Sequence, residues 1–231
     1  MKNIKHIFFD LDHTLWDFDK NCQQTLEHLY DKHSMDSLAG FTPVDFVAKY
    51  MSVNKKMWTE YNLHQIDKET IRKTRFKIVL SELGVSPASI PSNINNEFLN
   101  ICPRRGNLMP YAEEVLKALH SKYQLHILTN GFIDVQSIKM ETSGISPYFN
   151  SVVTSEHCAY RKPHEEIFKY ALKNAGANAE ESIMIGDNLE ADILGALNAG
   201  ISAVYYNPNA IPHNVRPNFE ISCLSELLKI F

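Results

Sequence analysis

Two aspartates, Asp10 and Asp12, close an apolar run in the stretch FFDLDHT at residues 8–14. Two unit charges about 4 Å apart repel by about 4 kcal/mol at an effective dielectric of about 20, so this placement needs a reason. One carboxylate can attack phosphorus as a nucleophile, and a second can give a proton to the leaving group and later accept one from water. Because such a pair is also common in turns and helix caps, other residues must support that chemistry.

Polar side chains also follow the later apolar runs of the chain. Ligands of open α/β sheets bind beyond the carboxyl ends of the strands, so these residues are candidates for the same site. Some of them also have an ordinary explanation. Asn130 and Gly131 could form a simple turn, Lys162 could be an exposed loop lysine, and Asp192 could be a solvated residue in the first turns of a helix. The candidates are Thr129, Asn130, Gly131, Arg161, Lys162, Asp187 and Asp192.

Five short apolar runs must position these residues. Near-continuous apolar strands are typical of a parallel sheet that is covered on both faces. Amphipathic helical patterns separate the later runs, and one of them closes at Gly176. The order predicts an α/β fold with a doubly wound parallel sheet, and a last short strand and helix in FEISCLSELLKIF. The runs are IKHIFFD, QLHILTNG, SVVTS, SIMIGD and ISAVYYN.

The interval between the first two runs is different. Residues 17–107 contain amphipathic helical stretches and no convincing strand, and Thr42 followed by Pro43 is typical of a helix cap and first helical residue. We therefore predict a helical insert at 17–107, within a core domain made of residues 1–16 and 108–231.

Composition narrows the function classes. The chain has 231 residues, 23 basic and 27 acidic side chains and a net charge of −4, so neither nucleic acid nor an anionic membrane is an expected partner. The four cysteines lack the spacing of a zinc site or a disulfide framework. No apolar run approaches the roughly 18 residues of a membrane helix, and the apolar stretch in the opening MKNIKHIFF is shorter than the one we expect of a signal peptide. We expect a cytoplasmic protein that acts on a small molecule.

The motifs DLDHT, LTNG, RKP and GDNLEAD occur in the order and approximate spacing of the haloacid dehalogenase superfamily of phosphotransferases. This resemblance spans the chain, and the helical insert resembles the superfamily's cap domain. It implies an Mg²⁺-dependent phosphomonoester hydrolase with Asp10 as nucleophile and Asp12 as general acid and base. Asp10, the backbone carbonyl of Asp12, and Asp187 would bind Mg²⁺, with Asp192 in support.

The same resemblance implies roles for the remaining residues. Lys162 would hold the phosphoryl oxygens and the nucleophile, and Thr129 with the neighbouring backbone N–H groups, around Asn130 and Gly131, would donate hydrogen bonds to those oxygens.

The insert resembles the cap of the house-cleaning pyrimidine 5′-nucleotidases in SVNKKMWTEYNLHQI, residues 52–66, and LTNGFIDVQ is similar too. A nucleoside 5′-monophosphate is then the implied substrate, for a monomer or weak homodimer. Asn54 would hydrogen-bond the base or sugar and Trp58 would stack on a ring, although aromatic residues at helical spacing more often serve packing.

Several alternatives stay open. A haloacid dehalogenase would use the same nucleophile at carbon, but its halide leaves without a proton, so Asp12 and Asp187 would have no task. A phosphosugar phosphatase or mutase would share the core. A receiver-like module would be phosphorylated on Asp10 without turnover, and such a module has no need of a helical cap.

Overall fold

Contacts between Cα atoms divide the chain into two units. The computed structural model describes residues 4–231. One unit combines residues 4–18 with Gly106–Phe231, and the other is Asp19–Arg105. The second unit lies inside the interval that the sequence assigns to a helical insert.

The first unit contains a six-stranded parallel sheet in the order β3-β2-β1-β4-β5-β6. The strand order reverses at β1, which is therefore the switch point where ligands of such sheets bind. The predicted α/β fold with a doubly wound parallel sheet is confirmed. The strands are β1 (His6–Phe9), β2 (Gln124–Thr129), β3 (Ser151–Thr154), β4 (Ser182–Gly186), β5 (Ser202–Tyr206) and β6 (Phe219–Ile221).

Within residues 4–231, ten α-helices and several shorter helical turns lie between or after these strands or form the second unit. The α-helices are α1 (Phe18–Lys32), α2 (Asp36–Ala39), α3 (Pro43–Asn62), α4 (Lys68–Glu82), α5 (Ile94–Ile101), α6 (Ala112–His120), α7 (Ile133–Thr142), α8 (Glu165–Ala175), α9 (Gly195–Asn198) and α10 (Leu227–Ile230). A π-helix, Leu189–Leu194, precedes α9.

The central strands of the sheet are buried on both faces, as their apolar runs predict. All four residues of β1 and all five of β4 are buried. Phe8, Leu128 and Met184 share a core cluster with Ile167 and Phe168 of α8. Apolar side chains therefore anchor the strands, and the candidate residues Asp10, Thr129 and Asp187 lie at or just after the strand ends.

Two helix boundaries show how local signals act. Helix α8 ends at Gly176 with a φ of 62°, the left-handed conformation that the closing glycine predicts. A proline at residue 110 is typical of a helix start, but helix α6 begins at Ala112, because Tyr111 adopts a left-handed φ of 66° and interrupts the turn.

The second unit is an all-helical domain with an aromatic core. Thr42 and Asp45 form a capping box at the start of α3, and Pro43 is the first helical residue, as the sequence predicts. Tyr50 of α3 and Phe76 of α4 pack at a ring distance of 5.2 Å, and both also contact the ring of Phe98. Within residues 4–231, no helix combines the length and apolar character that crossing a bilayer requires.

Candidate active site

The register of the sheet brings three predicted residues to one edge. Phe9 pairs with Ile185 and Ile127, so β1, β2 and β4 end side by side. Asp10 follows β1, Thr129 ends β2, and Asp187 follows β4. Their proximity follows from the parallel pairing of strands that are far apart in the chain.

Lys162 is the buried cation of this site. Its ammonium Nζ donates to Asp10 Oδ1 at 2.7 Å, to Asp192 Oδ1 at 2.6 Å and to the carbonyl of Leu128 at 2.7 Å. Burial alone would lower the pKa of Lys162, but the charges of Asp10 and Asp192 outweigh it and raise the pKa. The lysine is therefore charged throughout the range in which an enzyme works, and it is not the exposed loop residue of the ordinary alternative.

Asn130 holds the loop that carries Lys162. Its Nδ2 donates to the backbone carbonyl of Lys162 at 2.9 Å, and its Oδ1 accepts from the backbone N–H of Lys162 at 2.8 Å. The structure thus gives the Asn130 amide a task in fixing the lysine, in addition to the substrate contact that the sequence predicts.

Thr14 and Gly186 position two carboxylates. The hydroxyl of Thr14 donates to Asp187 Oδ1 at 2.8 Å and accepts from the backbone N–H of Asp187 at 3.1 Å. Gly186 leaves room for Asp192, because a Cβ at this position would lie 2.2 Å from Asp192 Oδ2. Asp192 is 1 % exposed and lies in the π-helix, so it is a buried site residue and not a solvated one.

Asp10, Asp187 and Asp192 form an acidic cluster in which one oxygen of each carboxylate lies within 4.8 Å of the others. Burial and the neighbouring carboxylate of Asp192 raise the pKa of Asp10 to about 6 in spite of Lys162. Burial and then Asp10 raise the pKa of Asp187 to about 6 as well. Three carboxylates face one ammonium, so the cluster favours a further cation.

The carboxylate of Asp12 is bound by helix α7. Lys139 Nζ donates to Asp12 Oδ1 at 2.6 Å, and Gln136 Nε2 donates to Asp12 Oδ2 at 2.9 Å. Burial alone would raise the pKa of Asp12, but Lys139 and then Gln136 lower it overall. Sequence reasoning missed both α7 residues. Their i, i+3 spacing predicts a shared helix face, and nothing in the sequence indicates that this face meets Asp12.

Thr129 links the end of β2 to α7. Its Oγ1 accepts from the backbone N–H of Gly131 at 3.1 Å and from Gln136 Nε2 at 2.9 Å. Since the oxygen accepts both bonds, the hydroxyl hydrogen is left to donate elsewhere. That arrangement is compatible with the predicted hydrogen bond from Thr129 to a phosphoryl oxygen.

Asn54 and Trp58 lie on α3 in the helical unit. Asn54 is buried and its Oδ1 accepts from Arg75 Nη1 at 2.8 Å, while the Arg75 guanidinium lies 5.0 Å from the ring centres of Tyr50 and Phe98. Trp58 packs edge-on against Tyr61 at 5.3 Å. Asn54 therefore has a structural reason to be polar on a packed helix, which the sequence did not reveal.

Comparison with known proteins places this site in a family. Residues 4–200 match the family model of haloacid dehalogenase-like hydrolases. The chain is 34% identical over 225 residues to pyrimidine 5′-nucleotidase YjjG of Escherichia coli (strain K12), covering 96% of this chain and 95% of that protein. It is 32% identical to pyrimidine 5′-nucleotidase PynA of Streptococcus pneumoniae (strain R6), covering 97% and 93%.

A solved structure agrees with the fold. The magnesium-bound structure of the HAD-hydrolase YfnB from Bacillus subtilis is similar with a TM-score of 0.88 at 26% identity, and the match covers 99% of each chain. The motifs at the strand ends, the sheet order and these matches agree, and the chain belongs to the haloacid dehalogenase-like hydrolase family.

Proposed function

We propose that the protein is an Mg²⁺-dependent phosphomonoester hydrolase that acts through an aspartyl-phosphate on Asp10. The observation that supports this most is the bond from the buried Lys162 ammonium to Asp10 beside the acidic cluster. A carboxylate in contact with a fixed cation is a nucleophile held next to a group that attracts phosphoryl oxygens.

In the first step an Asp10 oxygen attacks phosphorus and the bond from phosphorus to the leaving oxygen breaks. The electron pair of that bond passes to the leaving oxygen, which takes the proton of Asp12 and departs as an alcohol. In the second step a water oxygen attacks the phosphorus of the aspartyl-phosphate while Asp12 takes a proton from that water. The bond from phosphorus to the Asp10 oxygen breaks, its electron pair returns to the Asp10 carboxylate, and inorganic phosphate is released. Lys162 offsets the negative charge of the phosphoryl group in both steps.

The acidic cluster fits a hard divalent cation, because its donors are all carboxylate oxygens and its net charge is negative. Asp10, Asp187 and the backbone carbonyl of Asp12 would hold Mg²⁺, with Asp192 in support. When bound, the ion offsets charge on the phosphoryl oxygens. One oxygen of Asp192 already accepts a hydrogen bond from Lys162, and this contact favours an indirect role for Asp192 at the metal site.

We propose a nucleoside 5′-monophosphate, in particular a pyrimidine nucleotide, as the substrate. The support is the similarity of nearly the whole chain to two proteins named pyrimidine 5′-nucleotidase. Asn54 and Trp58 remain the proposed contacts for the base or sugar. A cytoplasmic location, and a monomer or weak homodimer, complete the proposal.

The site disfavours the dehalogenase alternative. Lys139 and Gln136 bind Asp12 through both of its oxygens, and Thr14 binds Asp187. A reaction that expels a halide has no use for a fixed proton donor or for a cation site, so these contacts support phosphoryl transfer.

Hydrolysis of p-nitrophenyl phosphate with Mg²⁺ tests the proposal. We expect turnover that EDTA abolishes and that Asp10→Asn lowers by about 10³-fold or more, because a nucleophile has no substitute in a two-step displacement. The matched control is Asp31→Asn, at an exposed aspartate on α1, and this variant should keep the turnover of the native protein. A panel of nucleotides and sugar phosphates, ranked by kcat/KM, then identifies the substrate class. If the protein were folded but showed no turnover, the proposed phosphatase activity would be refuted and a receiver-like module would be favoured.

A further inference from the structure

Two donors on one face of α7 engage both oxygens of the Asp12 carboxylate. The ammonium of Lys139 and the amide of Gln136 lie three residues apart on α7, and each binds a different oxygen, at 2.6 Å and 2.9 Å. A carboxylate that is bound at both oxygens cannot rotate about its last bond without breaking one of these contacts. Helix α7 thus fixes the plane of the proposed acid.

The orientation of Gln136 is set by its partners. Asp12 Oδ2 is an acceptor, so the group of Gln136 that faces it must be the NH₂. The amide oxygen Oε1 is then buried with no hydrogen-bond partner among the described residues, in a side chain that is 0% exposed. An apolar side chain would avoid this unpaired oxygen, so packing alone does not explain a glutamine here.

Gly131 makes room for this contact. A Cβ on Gly131 would lie 2.2 Å from Gln136 Nε2 and 2.5 Å from its Cδ. The absence of a side chain at 131 therefore allows Gln136 to reach Asp12 and Thr129 together, and the glycine serves the contact to Asp12 as well as the turn.

Lys139 is buried in an environment that restricts its ammonium. Its side chain is 7% exposed, and Nζ lies 4.5 Å from the ring centre of Trp16, which is itself fully buried. The ring attracts the cation and limits the positions that Nζ can occupy. The side chain of Lys139 is thus held above Trp16 with Asp12 as its carboxylate partner.

We infer that Gln136 and Lys139 are positioning residues that orient Asp12 for proton transfer to the leaving oxygen. The inference rests on the proposed function. Each carboxylate oxygen has two acceptor positions, so one bond to each leaves a place for the proton. When the bond from phosphorus to the leaving oxygen breaks and Asp12 gives up that proton, the two donors stabilise the carboxylate that forms.

The inference predicts a dependence on the leaving group that a purely structural contact would not produce. Phenyl phosphate has a poor leaving group that needs a proton, whereas p-nitrophenyl phosphate needs less assistance. Lys139→Met, which keeps the buried stem, should lower kcat/KM for phenyl phosphate by about 10-fold to 100-fold, because a misoriented acid loses part of the roughly 10²-fold to 10⁴-fold that general acid catalysis contributes. The loss for p-nitrophenyl phosphate should stay below about 3-fold. Gln136→Met should act in the same direction.

Controls separate this effect from folding. Lys117→Met makes the same change at an exposed site on α6 and should alter neither substrate. Lys139→Arg, which keeps the charge, should restore part of the activity on phenyl phosphate. In the Asp12→Asn background, Lys139→Met should cause no further selective loss, because the residue acts through Asp12.

Three results would overturn the inference: equal losses on both substrates, no loss on either, or variants that unfold at the assay temperature and so show a folding role. The proposed function fails separately. It would be refuted if Asp10→Asn kept its turnover, whatever the α7 variants do.

Discussion

Lys162 and Asp10 are 152 residues apart in the chain, and the lysine ammonium lies 2.7 Å from the aspartate Oδ1. The same ammonium contacts Asp192, so a single cation joins the residue after β1 to the π-helix after β4. Its side chain is 2% exposed. The contact therefore combines a stabilising role with the proposed catalytic one. Unfolding free energy reports the first role and kcat/KM reports the second.

Lys162→Met should reduce both stability and activity. Removing one partner of a buried ion pair typically costs about 3 to 5 kcal/mol, because the remaining charges are left without compensation. The carboxylates then take up protons more readily, so the loss of unfolding free energy should be larger at high pH than at low pH. Urea unfolding at two pH values measures this loss, and kcat/KM should fall by about 10²-fold or more. A variant with near-native kcat/KM would contradict the role of Lys162.

Asp187→Asn should weaken the response to Mg²⁺. The substitution removes one charge from the acidic cluster, and we expect the Mg²⁺ concentration for half-maximal activity to rise by about 10-fold to 100-fold or more, as metal sites lose affinity when their ligands are disturbed. The measurement is a titration of p-nitrophenyl phosphate hydrolysis with Mg²⁺. Glu190→Gln, an exposed acid three residues further along the chain on the π-helix, should leave the titration unchanged. Identical titrations for Asp187→Asn and the native protein would remove Asp187 from the metal site.

Asn54→Ala should destabilise the helical unit. Arg75 would lose the acceptor at 2.8 Å and stay buried between two rings, at a cost of about 1 to 3 kcal/mol for an unsatisfied buried donor. Asn54→Asp keeps an acceptor and adds a charge that suits the guanidinium, so its stability should stay near that of the native protein. Denaturant unfolding of the three proteins checks the order. If the Ala and Asp variants were equally stable, the hydrogen bond to Arg75 would contribute nothing.

Trp58→Ala should act on nucleotides alone. If the indole stacks on a base, KM for UMP should rise by about 10-fold, since stacking of a base on an aromatic ring is worth about 1 to 3 kcal/mol. KM for p-nitrophenyl phosphate should stay nearly constant. The same comparison with Tyr61→Phe, which keeps the ring that Trp58 contacts, is the packing control. An unchanged KM for UMP would exclude Trp58 from substrate binding.

His126 should make stability fall in mild acid. It is 1% exposed, its Nε2 lies 3.1 Å from His6 Nδ1, and burial followed by the charge of His6 lowers its pKa from 6.5 to about 4. The folded state thus takes up its proton later than the unfolded chain, so stability present above pH 6.5 is lost as the pH falls toward 4.

The expected size of this loss is about 2 kcal/mol between about pH 7.5 and about pH 5. Urea unfolding at the two pH values measures the drop in the free energy of unfolding. That drop should be smaller in His126→Gln than in the native protein by about 2 kcal/mol. The exposed His28→Gln should behave as the native protein does. Equal pH dependence in the native protein and His126→Gln would show that His126 is not the titrating group.

The fold was largely predictable from local patterns. Continuous apolar strands such as HIFF and SIMIG identify a parallel sheet, since they can be buried only where both faces are covered. The acidic residues after them could then be assigned to one edge. The burial of Asp192 was harder to predict from the sequence, because residues at a helix start are usually solvated. The sequence does not show the π-helix that turns this carboxylate inward.

The α7 contacts to Asp12 lay beyond prediction for another reason. Gln136 and Lys139 follow a motif that was recognised, but their side chains meet Asp12 across 124 and 127 residues of sequence. A helix pattern shows which residues share a face and not which element that face meets. The task of Asn54 was hidden in the same way, because its partner Arg75 lies on the next long helix.

The sequence by itself determined the strand ends, the acidic residues placed after them and the helical interval, since these depend on periodicity and on residue type close in the chain. Only the tertiary structure decided which donors serve each carboxylate: Lys162 for Asp10 and Asp192, Thr14 for Asp187, and Gln136 with Lys139 for Asp12. The physical reason is that a buried charge takes its partners from whichever elements pack around it, and strand order and helix orientation set that packing.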